Sequence, residues 1–321
     1  MNRRRFLAIS AAAAVVPGAA RASPAETLRW HGVALGAEAS LTLHHTDKAL
    51  GLAALDACLA EIARLEAIFS LFRPDSALQR LNTAGRIDDA PADLRILVSQ
   101  ALQMAERSAG AFDPTIQPLW SLYARHFATP GASQDGPNAR DVEAAHSLTG
   151  WRKVVVDGAS IRFAQPGMAM TLNGIAQGYI TDRAGDVLRA RGFENVLIDL
   201  GETLALGPKW DGSCWTVAIA NPVQPHQHAT TFPLTRGAVA TSGGYGLAFN
   251  DAGRFTHILD PKSGAPALRW RSVTVMAQNA ALADALSTAL SVVPEVAAPA
   301  LLGPSAHAYV IALNGGAGRW I

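Results

Sequence analysis

The sequence predicts an α+β fold: mixed and antiparallel sheets with packed helices, forming one compact unit with room for two lobes. Three observations carry this. Apolar residues recur at helical spacing in some segments, and short alternating runs bounded by turn residues occur in others. The two kinds intermix without the regular alternation of a parallel α/β sheet, and no internal repeat is present. With 321 residues, 49% hydrophobic and only 17% charged, the chain is long and apolar enough to bury a large core without disulfides or structural metals.

Ala39 to His45 alternates around Leu41 and Leu43 and predicts a strand. Leu52, Leu55, Leu59, Ile62, Leu65 and Phe69 describe a long amphipathic helix that stops near Arg73-Pro74-Asp75. A short Ser76-initiated turn or helix ends at Asn82, and a second helix spans Leu94 to Arg107 with Gly110 placed to terminate it. Ala128 to Asn138 is a Pro- and Gly-rich surface loop. Val154 to Val156 and Ile161 to Phe163, joined by Asp157-Gly158, predict a hairpin. A helix from Gly178 to Arg191 closes at Gly192 and leads to a strand at Val196 to Leu200. Further short strands are expected at 215–220, 238–240, 256–259, 273–277 and 308–313. Between the last two, Ala280 to Val292 is a helix with Asn279 as N-cap.

The N-terminus predicts an exported protein. Arg3, Arg4 and Arg5 precede a short apolar run, Phe6 to Val16, and the trio Ala20-Arg21-Ala22 has the small-x-small form of a cleavage site. The order Arg3-Arg4-Arg5-Phe6-Leu7 is similar to the twin-arginine export signature R-R-x-F-L, which implies a periplasmic destination. The domain division is therefore a signal peptide at 1–22 and one folded domain at 23–321. Cleavage removes four arginines and leaves 23 basic against 26 acidic residues. A near-balanced charge offers no field for nucleic acid. No apolar run reaches the roughly 18 residues of a membrane helix. Cys58 and Cys214 sit in apolar stretches and carry no disulfide prediction.

Four segments hold groups suited to chemistry. In the run Ala281 to Leu290, Asp284, Ser287 and Thr288 share one helical face. A carboxylate, hydroxyls and a nearby carbonyl form an all-oxygen set suited to Mg²⁺ before Zn²⁺. Spacing alone favours the plainer reading, a solvated polar stripe. In Met170 to Gly192, Asn173-Gly174 forces a turn at a strand's end and Gly178 lets a helix start in close contact; ordinary loop packing explains that as well. Ala240 to Tyr245 is small and hydroxyl-rich, and His257 follows in an apolar strand beside Asp260. His257 is a candidate base, although most lone strand histidines are structural. In Gly110 to Thr115, Asp113 begins a Pro turn. No H-E-x-x-H, G-x-S-x-G, Walker or C-x-x-C motif is present, which removes standard zinc proteases, α/β-hydrolases, nucleoside triphosphatases and thioredoxin-like oxidoreductases.

Taken together and in order, Leu35-Gly36, the run Ser70 to Ser76 with Asn82, GAFDPT, LNGIAQGY, ATSGGY, THILDPKSG and ADALSTAL resemble the ApbE flavin transferase family. Its members move FMN from FAD onto a threonine or serine of another protein. The variant LNGIAQGYITD followed by IDLGE is most similar to the NosX branch, whose acceptor is the membrane protein NosR. The resemblance implies a Mg²⁺ held by the Gly174 carbonyl, Asp284 and Thr288, with Ser287 near or contributing. It implies flavin-nucleotide contacts from Ala111, Phe112, Asp113, Thr171, Gln177 and Ile258, with Phe72 near a ring and His257 handling a proton. Two positions depart from the family's usual pattern: Thr171 stands for an Asp and Gln177 for a Lys, a nearly charge-neutral pair of changes. Two other activities fit the same motifs: an exported FAD-binding maturation factor without transfer activity, and a Mg²⁺-dependent FAD pyrophosphatase.

Overall fold

The computed structural model describes residues 26–34, 37–45, 47–224, 226–314 and 316–321. The export signal at 1–22 and the Leu35-Gly36 motif lie outside the described residues. In chain order the elements are β1 (Glu26–Ala34), β2 (Ala37–His45), α1 (Lys48–Phe69), α2 (Ala77–Ala84), β3 (Arg86–Ile87) and α3 (Ala92–Arg107). Next come α4 (Gln117–Ala128), α5 (Ala139–Ser147), β4 (Val154–Asp157), β5 (Ser160–Phe163), α6 (Ala176–Arg189), β6 (Val196–Asp199) and β7 (Thr203–Ala205). The chain continues through β8 (Trp215–Ala220), β9 (His228–Leu234), β10 (Gly237–Ser242), β11 (Trp270–Ala277), α7 (Ala280–Leu290), α8 (Ala298–Leu302), β12 (His307–Ala312) and β13 (Arg319–Trp320).

Eight strands form one antiparallel sheet in the order β1-β2-β6-β7-β10-β11-β12-β13; β3-β5-β4 and β8-β9 form two small ones. The sheet's centre explains its sequence. Along β6, Val196 and Ile198 belong to the main core on the side of α6, whereas Leu197 packs with the β8-β9 hairpin. A strand covered on both faces reads as a continuous apolar run, and a period-2 pattern survives only where one face is wet. β2 has that pattern: Leu41 and Leu43 are fully buried and Ser40, Thr42 and His44 are partly exposed.

Helix ends follow their caps. Ser76 accepts from the amide of Gln79 to start α2, and Asn279 accepts from that of Leu282 to start α7. α3 ends through two successive left-handed residues, Ala109 (φ 52°) and Gly110 (φ 83°). Ala109 is the one non-glycine with positive φ among the described residues, and it immediately precedes the GAFDPT run.

Three expectations need correction. Residues 256–259 are not a strand; Thr256 and Leu259 make only isolated bridges, to Ala248 and Pro266. No strand leads into Asn173-Gly174, which forms a turn after an irregular extended stretch, and α6 starts at Ala176 rather than Gly178. Residues 117–128 and 139–147, assigned no element from sequence, are α4 and α5. Tyr123 on α4 packs with Phe249 and Phe255 in a separate aromatic cluster, which anchors the 247–260 loop.

Cys58 is buried, Cys214 is exposed rather than part of an apolar layer, and both thiols are free. Among the described residues, no helix is long and apolar enough to cross a membrane.

Candidate active site

A cavity of about 430 Å³ lies between the helix layer and the 247–260 loop. Of the twelve residues singled out from sequence, eleven line it: Phe72, Ala111, Phe112, Asp113, Thr171, Gly174, Gln177, His257, Ile258, Asp284 and Thr288. They come from segments far apart in the chain, so the fold, not local sequence, brings them together. Ser287 does not line the cavity. It is 1% exposed, donates to the Asp284 carbonyl at 2.9 Å, and shares a 2.7 Å hydrogen bond with Ser242 Oγ. Ser242 Oγ also lies 3.3 Å from Thr288 Oγ1, so these hydroxyls fix the rotamer of Thr288 from behind.

The face of α7 carrying these groups is buried, not solvated as spacing alone favoured. Asp284 is almost fully buried, and its Oδ2 accepts from the backbone amide of Gly178 at 3.1 Å. Burial pushes its carboxyl up to about 7, against the Gly178 hydrogen bond and helped by the nearby negative Asp182. Gly174 packs directly on this face. A Cβ there would stand 2.9 Å from Thr288 Oγ1 and 3.2 Å from Phe112 Cε2, so the turn needs glycine to bring its backbone to the hydroxyl.

The other walls divide into binding surface and scaffold. Asp113 is scaffold as much as wall: Oδ1 accepts from the Thr115 amide and hydroxyl, and Oδ2 from the Trp151 amide. Gln177 donates to the Leu200 carbonyl at 2.9 Å, and Thr171 Oγ1 accepts from the Asn173 amide. Both side chains at the departures from the family pattern are therefore tied to backbone. Phe72 is 57% exposed at the rim. His257 Nδ1 lies 3.0 Å from the Leu247 carbonyl. A carbonyl only accepts, so Nδ1 carries the proton and Nε2 keeps its lone pair. Burial lowers the imidazole's pKa, which favours this neutral form.

The model of the ApbE family matches residues 35–311. The chain belongs to the ApbE family. The FAD:protein FMN transferase of Treponema pallidum is 33% identical over 258 residues, covering 74% of this chain and 70% of that protein. That of Vibrio cholerae is 31% identical over 233 residues, covering 70% and 69%. The crystal structure of Pseudomonas stutzeri flavinyl transferase ApbE, apo form, superposes with a TM-score of 0.78 at 29% identity, covering 92% of this chain and 94% of that one.

In this ApbE-family site, the donors present suit a hard cation. Among the described residues, no three His, Cys, Asp or Glu side chains cluster as a metal site. A cation must therefore draw on mixed oxygens, and Asp284, Thr288 and the Gly174 turn supply a carboxylate, a hydroxyl and a carbonyl. Sequence reasoning missed Glu202. It is 5% exposed, lines the same cavity, and its Oε2 has no hydrogen-bond partner. It also missed Asp182, whose two oxygens accept from the Ala280 and Ala281 amides at the start of α7. The IDLGE run contains Glu202, but nothing in its spacing points to Asp284.

Proposed function

We propose that this chain, an ApbE-family FAD:protein FMN transferase, moves FMN from FAD to a threonine or serine hydroxyl of an acceptor protein and releases AMP. The observation that carries this reading is the convergence of Gly174, Asp284 and Thr288 with Phe112, Ile258 and His257 around one cavity. Asp284, Thr288 and the Gly174 carbonyl would hold Mg²⁺, which would supply positive charge to offset the negative charge of the diphosphate.

The chain's own residues do the rest. Ala111, Phe112 and Ile258 are nearly buried and give the flavin nucleotide an apolar wall, with Asp113 holding the 110–115 loop rigid. Gln177 and Thr171 border the nucleotide, and Phe72 stands at the rim where a ring system enters. His257 Nε2 accepts the proton of the acceptor hydroxyl. The hydroxyl oxygen bonds to the FMN phosphorus as the bond from that phosphorus to the AMP oxygen breaks.

The twin-arginine-like leader supports a periplasmic location, and the IDLGE variant supports a NosR-like acceptor at the membrane. Incubating the mature protein with FAD, Mg²⁺ and a NosR-like domain should give a covalently fluorescent band, an added FMN mass and one AMP per label. AMP released equally fast without acceptor would instead identify a FAD pyrophosphatase. Retained FAD with neither product would identify a carrier.

A further inference from the structure

Glu202 occupies the turn between β6 and β7. Gly201, with φ 98°, makes the reversal, its amide donates to Asp199 Oδ1, and the Leu200 amide donates to the Glu202 carbonyl. β7 pairs with β10 through Thr203 and Val239, which sets Glu202 beside Thr241. The Thr241 backbone amide hydrogen-bonds to the Glu202 carboxylate, and the next residue, Ser242, contacts Thr288. One short strand thus anchors Glu202 and supports a cavity hydroxyl.

The remaining oxygen, Oε2, is buried with no partner, and Glu202 shares the cavity wall with Asp284. Its electrostatic neighbours are Asp284 and Asp199, both negative, and among the described residues no arginine or lysine pairs with Glu202 or Asp284. Leaving a buried acceptor unpaired costs about 1–3 kcal/mol, and more when it is charged. Protonation does not remove the problem, because a proton on Oε2 also lacks an acceptor within the chain. A neutral ligand donor would fill one lone pair and leave the two carboxylates of the cavity wall uncompensated. A cation answers both.

We propose that Glu202 Oε2 is a direct ligand in the cation site of Asp284 and Thr288, so that the site presents two carboxylates. This rests on the divalent-cation reading of the preceding section and adds a residue to it. Two carboxylates with a hydroxyl and a carbonyl remain within what Mg²⁺ accepts alongside phosphate oxygens.

The test is titration of the metal-free full chain with Mn²⁺ alone, followed by electron paramagnetic resonance, with melting curves in parallel. Glu202→Gln keeps the acceptor for the Thr241 amide and removes the charge. It should raise the Mn²⁺ Kd by about tenfold or more. It should also leave the metal-free melting temperature unchanged or higher and shrink the rise that Mn²⁺ produces. A purely structural glutamate would give the opposite: a lower metal-free melting temperature and unchanged affinity. Mn²⁺ binding within twofold of wild type in Glu202→Gln, with binding lost in Asp284→Asn, overturns the role of Glu202 alone. Unchanged binding in Asp284→Asn overturns the cation reading itself, and the Glu202 proposal with it. Should Glu202→Gln fail to fold, Glu202→Asp keeps the charge and withdraws the oxygen by one methylene. An affinity weaker than wild type there supports the proposal, and wild-type affinity overturns it.

Discussion

The Gly178 amide donates to Asp284 Oδ2 at 3.1 Å, tying the first turn of α6 to the polar face of α7. The contact is that close because residue 178 has no side chain: a Cβ there would lie 2.2 Å from the Ala280 carbonyl oxygen. Backbone cannot move aside as a flexible side chain can. Gly178→Ala should therefore push the two helices apart, costing about 1–3 kcal/mol or more. It should also release the Asp284 carboxylate from its donor. Thermal melts should show the lowered stability, and the stabilisation by added Mg²⁺ should fall in the same variant. Gly192→Ala is the contrast: no atom lies within 4 Å of a Cβ there, so only backbone strain from its φ of 82° is expected, with Mg²⁺ stabilisation retained.

Asp182 holds the other end of that contact by capping α7, and burial pushes its carboxyl up to about 6. The ordinary aspartate value is 3.8, so between about pH 4 and 6 the folded state binds a proton that the unfolded state has lost. The group's contribution to folding therefore falls as pH rises through that window and is constant above it. Residue 182 no longer titrates in Asp182→Asn. The difference in unfolding free energy, wild type minus variant, should thus decline from pH 4 to 6 and stay level from 6.5 to 8. Urea titrations across that range in EDTA measure it. A difference that rises with pH would mean the cap works as a stabilised carboxylate and that burial is the lesser influence.

Asp284 and Thr288 were legible as a pair on one face of α7 because they stand four residues apart, one helical turn, whereas Ser287 shares the spacing but turns to Ser242 behind the cavity wall. Whether that face was wet or buried was not legible, since Ala and Leu surround a polar stripe in either case. Burial by α6 and β10 decides it. The expected strand at 256–259 shows the opposite failure. Its apolar residues are real, but Leu259 packs in the aromatic cluster of α4 and Ile258 lines the cavity, so loop packing produced a strand-like pattern. Glu202 was invisible for a third reason. Its place near Asp284 depends on β7 pairing with β10 and β10 packing on α7, a chain of non-local contacts that no local period records.

Phe72 is the most exposed of the predicted site residues, standing on the turn between α1 and α2 with its amide bonded to Ser70 Oγ. At the rim of the cavity, its ring is placed to add contact to a bound ring system rather than to take part in the transfer proposed above. Phe72→Ala should weaken FAD binding by about 1 kcal/mol, about fivefold in KM, with kcat within twofold. Steady-state AMP release against FAD concentration separates the two. A drop in kcat at unchanged KM would place Phe72 in the transferring step instead.

His257 is the group expected to set the pH dependence of transfer. Its Nδ1 proton is held by the Leu247 carbonyl, and burial lowers its pKa below the ordinary 6.5. A base works deprotonated, so the rate should be level at neutral pH and fall only on the acidic side of 6.5. His257→Ala should slow acceptor labelling by about 10²–10⁴-fold, a typical contribution of a positioned general base, and abolish the acidic limb. FAD binding by that variant, measured by flavin fluorescence, should stay near wild type. A persistent acidic limb in His257→Ala would assign the proton to another group, and the histidine would then only tie the 247–257 loop to itself through Leu247.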